Sequence, residues 1–268
     1  METIGLIAAM TQESEALLRC VKPWKRVAVG PLRGNSFVLT RQNCVLVTSG
    51  MGVRRASEAA RNLVELNSPQ MLISFGIAGA VEADLEIGDV VLAEAVCSLD
   101  QGVPGSLMPL EPWPDAARKA AVEVLVTRGR QLFTGTAVTT GGSQVMQSQL
   151  GEMRHPILEM ETAGIAQVAA EKGIPLLSLR AISDGPRAPI PFDLGEIMDE
   201  DANLQAGRLL GAIARNPRII FQSRQMMRNT KIAANNAAAA LVAALRQQSS
   251  IADPHAGDII AAIDVSLF

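Results

Sequence analysis

Between residues 3 and 185, short apolar runs alternate with stretches of helical periodicity. "TIGLIAA" (3–9) reads as a buried strand. "TQESEALLRC" (11–20) follows, and its Thr11 N-cap and acidic first turn predict a helix start. "RVAVG" (26–30), "NSFVLTR" (35–41) and "NCVLVTSG" (43–50) read as short strands separated by turn residues. "RRASEAARNLVEL" (54–66) has helical spacing. "QMLISFGIAGAV" (70–81) predicts a buried strand that breaks at Gly76 and Gly79. "EIGDVVLAEAV" (86–96) predicts another strand after a Gly-Asp turn, and the Pro- and Gly-rich residues 98–114 a loop. A helix (115–129), a strand (131–140), a helix ended by Gly173 (161–173) and a strand with a polar end (174–185) complete the alternation.

Strands alternating with helices define an α/β chain with a largely parallel or mixed sheet. In such sheets the ligand crevice lies beyond the carboxyl ends of the strands. That rule gathers Glu13, Gly50–Gly52, Gly76–Gly79, Glu161 and Asp184, each of which follows an apolar strand or opens a helix. After the Pro-rich "PRAPIPFDLGEIMDEDA", helices are expected near 199–214, 218–228 and 230–247. The tail "SSIADPHAGDIIAAIDVSLF" suits an edge strand, a docking helix or frayed chain. No internal repeat and no independent second domain are expected: residues 1–268 read as one domain with a divergent helical extension from about 202.

Composition narrows the chemistry. Hydrophobic residues make up 48% of the 268, enough for a substantial core. A net charge of −3 points to no polyanionic partner, so nucleic acid is not expected. From Ala202 to Ala252 there is no acidic residue, but there are seven basic ones, from Arg208 to Arg246. This is a solvated helix face, or else a subunit, anionic-ligand or membrane-surface contact. Cys20, Cys44 and Cys97 lie far apart and read as buried small hydrophobes in a reducing cytoplasm. No signal peptide or membrane-spanning helix is expected. His155 and His255 are the only histidines, which excludes a multi-histidine metal site, and no GxSxG elbow accompanies them. His155, ahead of Pro156, reads as a loop or capping residue.

Each candidate carries two readings of its own. Glu13 activates water or favours a helix dipole. "TSGMGV" (48–53) brings backbone N–H groups to an anion or hydroxyl-rich ligand, or is a tight turn; it fits neither Walker nor Rossmann spacing. Asp184, beside Ser183, is a general acid, an acceptor for a base edge, or an Asx-turn. In "LEMETAG" (158–164), Glu159 and Glu161 would share a face of a strand and diverge in a helix. They either favour a helix N-terminus or hold a polar ligand.

The ordered set "IGLIAAMTQESEALL", "TSGMGV", "ISFGIAGAVEADLEIGDVVLAE" and "LEMETAGIAQVAAEKGIPLLSLRAISDG" resembles the nucleoside phosphorylase/nucleosidase superfamily. It is most similar to the 5'-methylthioadenosine/S-adenosylhomocysteine nucleosidases over residues 3–185. The resemblance implies a three-layer α/β/α sandwich with a central mixed sheet and hydrolysis of a purine nucleoside's N-glycosidic bond. It implies that Glu13 activates water, with Arg180 nearby, and that Asp184, oriented by Ser183, protonates the base. Glu161 would hold the ribose hydroxyls, Met160 would pack on the sugar, and Glu159 would be structural or at the rim. Gly76 and Ile77 fall in the loop that helps hold water or phosphate, and Gly50 in the N–H-presenting turn. No cofactor or metal is implied; a homo-oligomer is.

Departures from the family pattern are specific. Ile77 stands where a small polar residue is common, and "GGSQVM" (141–146) lacks a base-stacking aromatic. The extension is reminiscent of hopanoid-associated members that act on an adenosyl group carried by an apolar lipid. "NPRIIFQSRQMMRNTK" would then face that substrate or a membrane surface. Two alternatives stand beside hydrolysis. One is phosphorolysis, with Arg54 and Arg55 serving phosphate. The other is a non-catalytic nucleoside-binding module.

Overall fold

A computed structural model describes residues 1–141, 145, 147–189 and 219–251. Its strands are β1 (Thr3–Ala8), β2 (Trp24–Val29), β3 (Leu32–Leu39), β4 (Gln42–Thr48), β5 (Met71–Ala80), β6 (Val90–Asp100), β7 (Val103–Pro104), β8 (Met108–Pro109), β9 (Leu132–Thr139), β10 (Pro156–Glu159) and β11 (Leu176–Asp184). Its helices are α1 (Thr11–Cys20), α2 (Val53–Asn67), α3 (Asp115–Val126), α4 (Thr162–Lys172) and α5 (Ile219–Ile251).

The strands form one mixed sheet in the order β10-β9-β6-β11-β5-β1-β4-β3-β2, with β7 and β8 on β6. β1, β4, β5 and β11 run parallel, while β6 pairs antiparallel to β11. The short β10 pairs parallel with β9 and antiparallel with β5. It thereby closes β5, β11, β6 and β9 into a ring at one end of the sheet. Alternation of side chains sends Ile4, Leu6 and Ala8 to one face and Ile7 to the other. Both faces are covered, which is why these strands read as continuous apolar runs. α2 and α4 pack on one face through Ala56, Ala60, Leu63, Ile165 and Ala169. α1, α3 and α5 pack on the other through Leu17, Leu125, Ala237 and Leu241. This is the three-layer sandwich that the resemblance implies.

Several local expectations are corrected. β5 runs unbroken through Gly76 and Gly79, because β11 pairs with it from Leu72 to Gly79. Thr11 is not an N-cap: Met10 holds that position, and its N–H donates to the Glu13 carboxylate at 2.7 Å. The expected helices at 218–228 and 230–247 are one continuous helix, α5. The 98–114 loop contains the end of β6 and the strands β7 and β8. Cys20 is exposed, while Cys44 and Cys97 are buried. The helix expected at 199–214, the tail with His255, and most of 141–146 lie outside the described residues.

Candidate active site

Five strand ends meet in one cavity of about 910 Å³. β1 leads through Ala9 and Met10 into α1 and Glu13. β4 leads through Met51 into α2. β5 contributes Ile77 to Ala80, β10 contributes Glu159 to Glu161, and β11 contributes Ser183 and Asp184. α5 supplies the outer wall with Met226, Met227, Thr230, Lys231 and Ala234.

Glu13, in the first turn of α1, is buried. Its Oε2 accepts the Met10 N–H, and its Oε1 accepts the Ile77 N–H at 2.9 Å. Burial raises its pKa above the ordinary carboxylate range, against the pull of Arg180 and the backbone N–H groups of Met10, Ile77 and Ala9. The Ile77 side chain thus leaves a role to its backbone, while it packs partly against the core.

Arg180 projects from β11 and is 1% exposed. Its Nη2 donates to Ser74 Oγ at 2.8 Å, Glu159 Oε2 at 2.9 Å and Thr162 Oγ1 at 3.1 Å. Its Nη1 stands 3.6 Å from Glu161 Oε2. Nη1 and Nε make no hydrogen bond among the described residues. Ser74, inside an apolar strand, and Thr162 are partners that the sequence reading missed; a lone serine in "MLISFG" was the available signal.

Glu161 sits at the N-cap of α4 and accepts the Gly52 N–H at 3.0 Å. Gly52 makes this approach with φ 100°, a conformation that suits glycine. Burial pushes the Glu161 carboxyl up to about 7; Arg180 opposes the shift, and Glu159 and Glu13 add to it. Glu159 is the last residue of β10, buried but at the wall of the cavity. The two glutamates therefore part company at a strand-to-helix junction.

Asp184 ends β11 opposite Gly79. Its Oδ1 accepts the Ser183 hydroxyl at 2.6 Å. Burial raises its pKa, and the Ser183 hydrogen bond opposes the rise. Met160 lines the same cavity. Gly76 lies between Glu13 and Arg180. Gly50 does not line the cavity; its positive-φ turn packs on Arg55, and Met51 faces the cavity instead. His155 also stands apart, with Nδ1 2.8 Å from Glu82.

The whole set holds three glutamates around one buried guanidinium, with Asp184 farther along the same cavity and methionines on its walls. The phosphorylase superfamily model matches residues 3–215. A 5'-methylthioadenosine/S-adenosylhomocysteine nucleosidase of Oceanobacillus iheyensis is 31% identical over 207 residues, 71% of this chain and 90% of that protein. The nucleosidase of the same name from Listeria monocytogenes is 30% identical over 212 residues, 71% and 91% of the two chains. Among solved structures, a Colwellia psychrerythraea nucleosidase of this type in complex with adenine superposes with a TM-score of 0.70 at 19% identity, covering 92% and 95% of the two chains. A futalosine hydrolase of Helicobacter pylori superposes with a TM-score of 0.65 at 18% identity, covering 91% and 97%. At these identities the superpositions establish the fold.

Proposed function

Because this chain belongs to the phosphorylase superfamily, we infer that it is a nucleosidase that hydrolyses the N-glycosidic bond of a purine nucleoside of the 5'-modified adenosine type. The observation that carries this reading is the convergence of Glu13, Glu161 and Asp184 on one cavity, with Arg180 buried beside the two glutamates.

Cleavage of an N-glycosidic bond passes through an oxocarbenium-like state. The leaving base takes the bond's electron pair and needs a proton. Asp184 supplies it to the purine N7; its raised pKa keeps the proton available, and Ser183 fixes the carboxyl. A water adds to the anomeric carbon and gives its proton to Glu13, which two backbone N–H groups hold in place. Arg180 offers its unpaired nitrogens beside that water. Glu161, when ionised, accepts two hydrogen bonds from the ribose diol, and Met160 packs on the sugar. Surrounding carboxylates also favour the positive charge that develops on the sugar.

The same charges argue against phosphorolysis. A dianionic phosphate would enter a cavity lined by the carboxylates of Glu13, Glu15, Glu159, Glu161 and Asp184, with Arg19 and Lys231 as its only lining cations among the described residues. Arg54 is paired with Glu58 on the exposed side of α2, and neither it nor Arg55 lines the cavity. A binding module needs neither Glu13 nor Asp184 in these positions.

One observation favours a larger apolar 5' substituent, such as an adenosyl-lipid. The cavity extends past the carboxylates along Pro186, Pro189, Met226 and Met227. No described helix is long and apolar enough to cross a membrane. The test is product analysis by chromatography, with adenosine, inosine, uridine, 5'-methylthioadenosine, S-adenosylhomocysteine and an adenosyl-lipid analogue, each with and without phosphate. Free base and free sugar without phosphate are expected from the adenosine types. Sugar 1-phosphate formed only with phosphate would overturn hydrolysis. Binding without any release would favour the binding module.

A further inference from the structure

Glu159 is spent neither on substrate nor on solvent. Its Oε1 accepts the Thr139 hydroxyl. Its Oε2 accepts the Glu161 N–H at 3.0 Å, the Thr162 N–H and hydroxyl at 2.7 Å each, and Arg180 Nη2 at 2.9 Å. Burying such a charge is costly unless it is paired and fully hydrogen-bonded, and here it is both. A neutral core residue would fill the same volume at lower cost. The charge does something a neutral residue would not: it binds one edge of the guanidinium and the first turn of α4 together.

We infer that Glu159 is a positioning residue of the cleavage site. It holds Arg180 by Nη2, so that Nη1 and Nε face the gap between Glu13 and Glu161, and it fixes the distance between that cation and Glu161. This inference rests on the nucleosidase reading of the pocket.

The arrangement has an electrostatic signature. Glu161 is faced by Arg180 from β11, Glu159 from β10, Glu13 from α1 and the Gly52 N–H from α2. Cys97 on β6 faces Glu159 from the far side. Glu159→Gln removes a like charge from Glu161 and frees Arg180 to pair with it. Both changes let Glu161 ionise at lower pH. A glutamate that merely braced the fold would move that titration only through its lost charge and would leave kcat unchanged in the folded variant.

The experiment titrates the affinity of a purine C-nucleoside, whose base–sugar bond is carbon and cannot be hydrolysed, from about pH 5 to about pH 9. In Glu159→Gln the acid limb of affinity is expected to move down by about one pH unit. The kcat for the best substrate is expected to fall roughly 10–100-fold, with KM at alkaline pH within a few-fold. A folded variant with the wild-type limb and wild-type kcat overturns the inference. If Glu159→Gln does not fold, Thr139→Val decides. It keeps every charge but frees Glu159 Oε1. A kcat several-fold lower at unchanged KM supports the inference; wild-type kcat overturns it. The affinity titration needs no turnover. A wild-type protein that binds the C-nucleoside but releases no base sinks the nucleosidase reading, and the limb of Thr139→Val, which keeps every charge, still decides the role of Glu159: a shifted limb supports it and a wild-type limb overturns it.

Discussion

Gly76 and Glu13 touch across the pocket floor so closely that a methyl group on Gly76 would overlap the Glu13 carboxylate. The same methyl would stand 2.8 Å from Arg180 Nη1. The backbone of β5 is therefore the surface on which the water-side groups meet. Gly76→Ala is expected to displace Glu13 and lower base release by at least about 100-fold. It should leave the fold intact, as read by circular dichroism. Wild-type turnover in this variant would remove Glu13 from the mechanism.

Asp184→Asn keeps the shape of the strand end but deletes the transferable proton. Turnover is expected to fall by roughly 10²–10⁴, with nucleoside affinity within a few-fold of wild type by calorimetry. Unchanged turnover would end the assignment of Asp184 as the acid. The alkaline limb of kcat should belong to this group, since rising pH removes its proton.

Stability of the ligand-free protein should depend on pH in a definite direction. Burial pushes the folded-state value for Glu161 from 4.5 up to about 7. A group raised on folding contributes its full stability below the unfolded value and loses it as pH rises through the folded one. Glu13 and Asp184, both raised, act in the same direction. The melting temperature should therefore fall by a few degrees between about pH 5 and about pH 8. Glu161→Gln should flatten that slope. A wild-type profile that rises across this interval would contradict the geometry around Arg180.

The wall that α5 provides should govern the 5' side of the substrate. Replacing Met226 and Met227 by serine removes apolar surface worth about 1–2 kcal/mol per side chain when a bulky apolar group covers it. The KM for an adenosyl-lipid analogue should then rise roughly tenfold or more, while that for adenosine changes little. Equal effects on both substrates, measured side by side, would detach this wall from substrate choice.

Much of this site could be read before the structure, because strand ends announce themselves. Glu13, Glu161 and Asp184 each follow an apolar run, and an α/β sheet delivers such positions to one edge. Glu159 could not be read that way. Three of its five donors are local, from Glu161 and Thr162, but Thr139 and Arg180 come from strands 20 and 21 residues away, and nothing in the local sequence announces them. β10 was missed because four residues beginning with proline carry no periodicity. Gly76 and Gly79 looked like strand breakers because their reason for being small lies across the pocket, in Glu13 and Asp184. The continuity of α5 was hidden by polar residues at its middle. There Asn229 and Asn236 are buried; Asn236 donates to the Gly88 carbonyl at 2.9 Å.

α5 runs for 33 residues, about 50 Å. Its alanine-rich stretch is cemented into the core, and the turns from Met226 to Ala234 line the cavity. On the proposed reading, the groups that break the bond come from residues before 185, and those that face the 5' side of the substrate come from beyond 225. On that reading the two tasks fall to different layers of one sandwich. Substitution along the turns from Met226 to Ala234 would then alter substrate choice, while the bond-breaking groups stay held by the sheet.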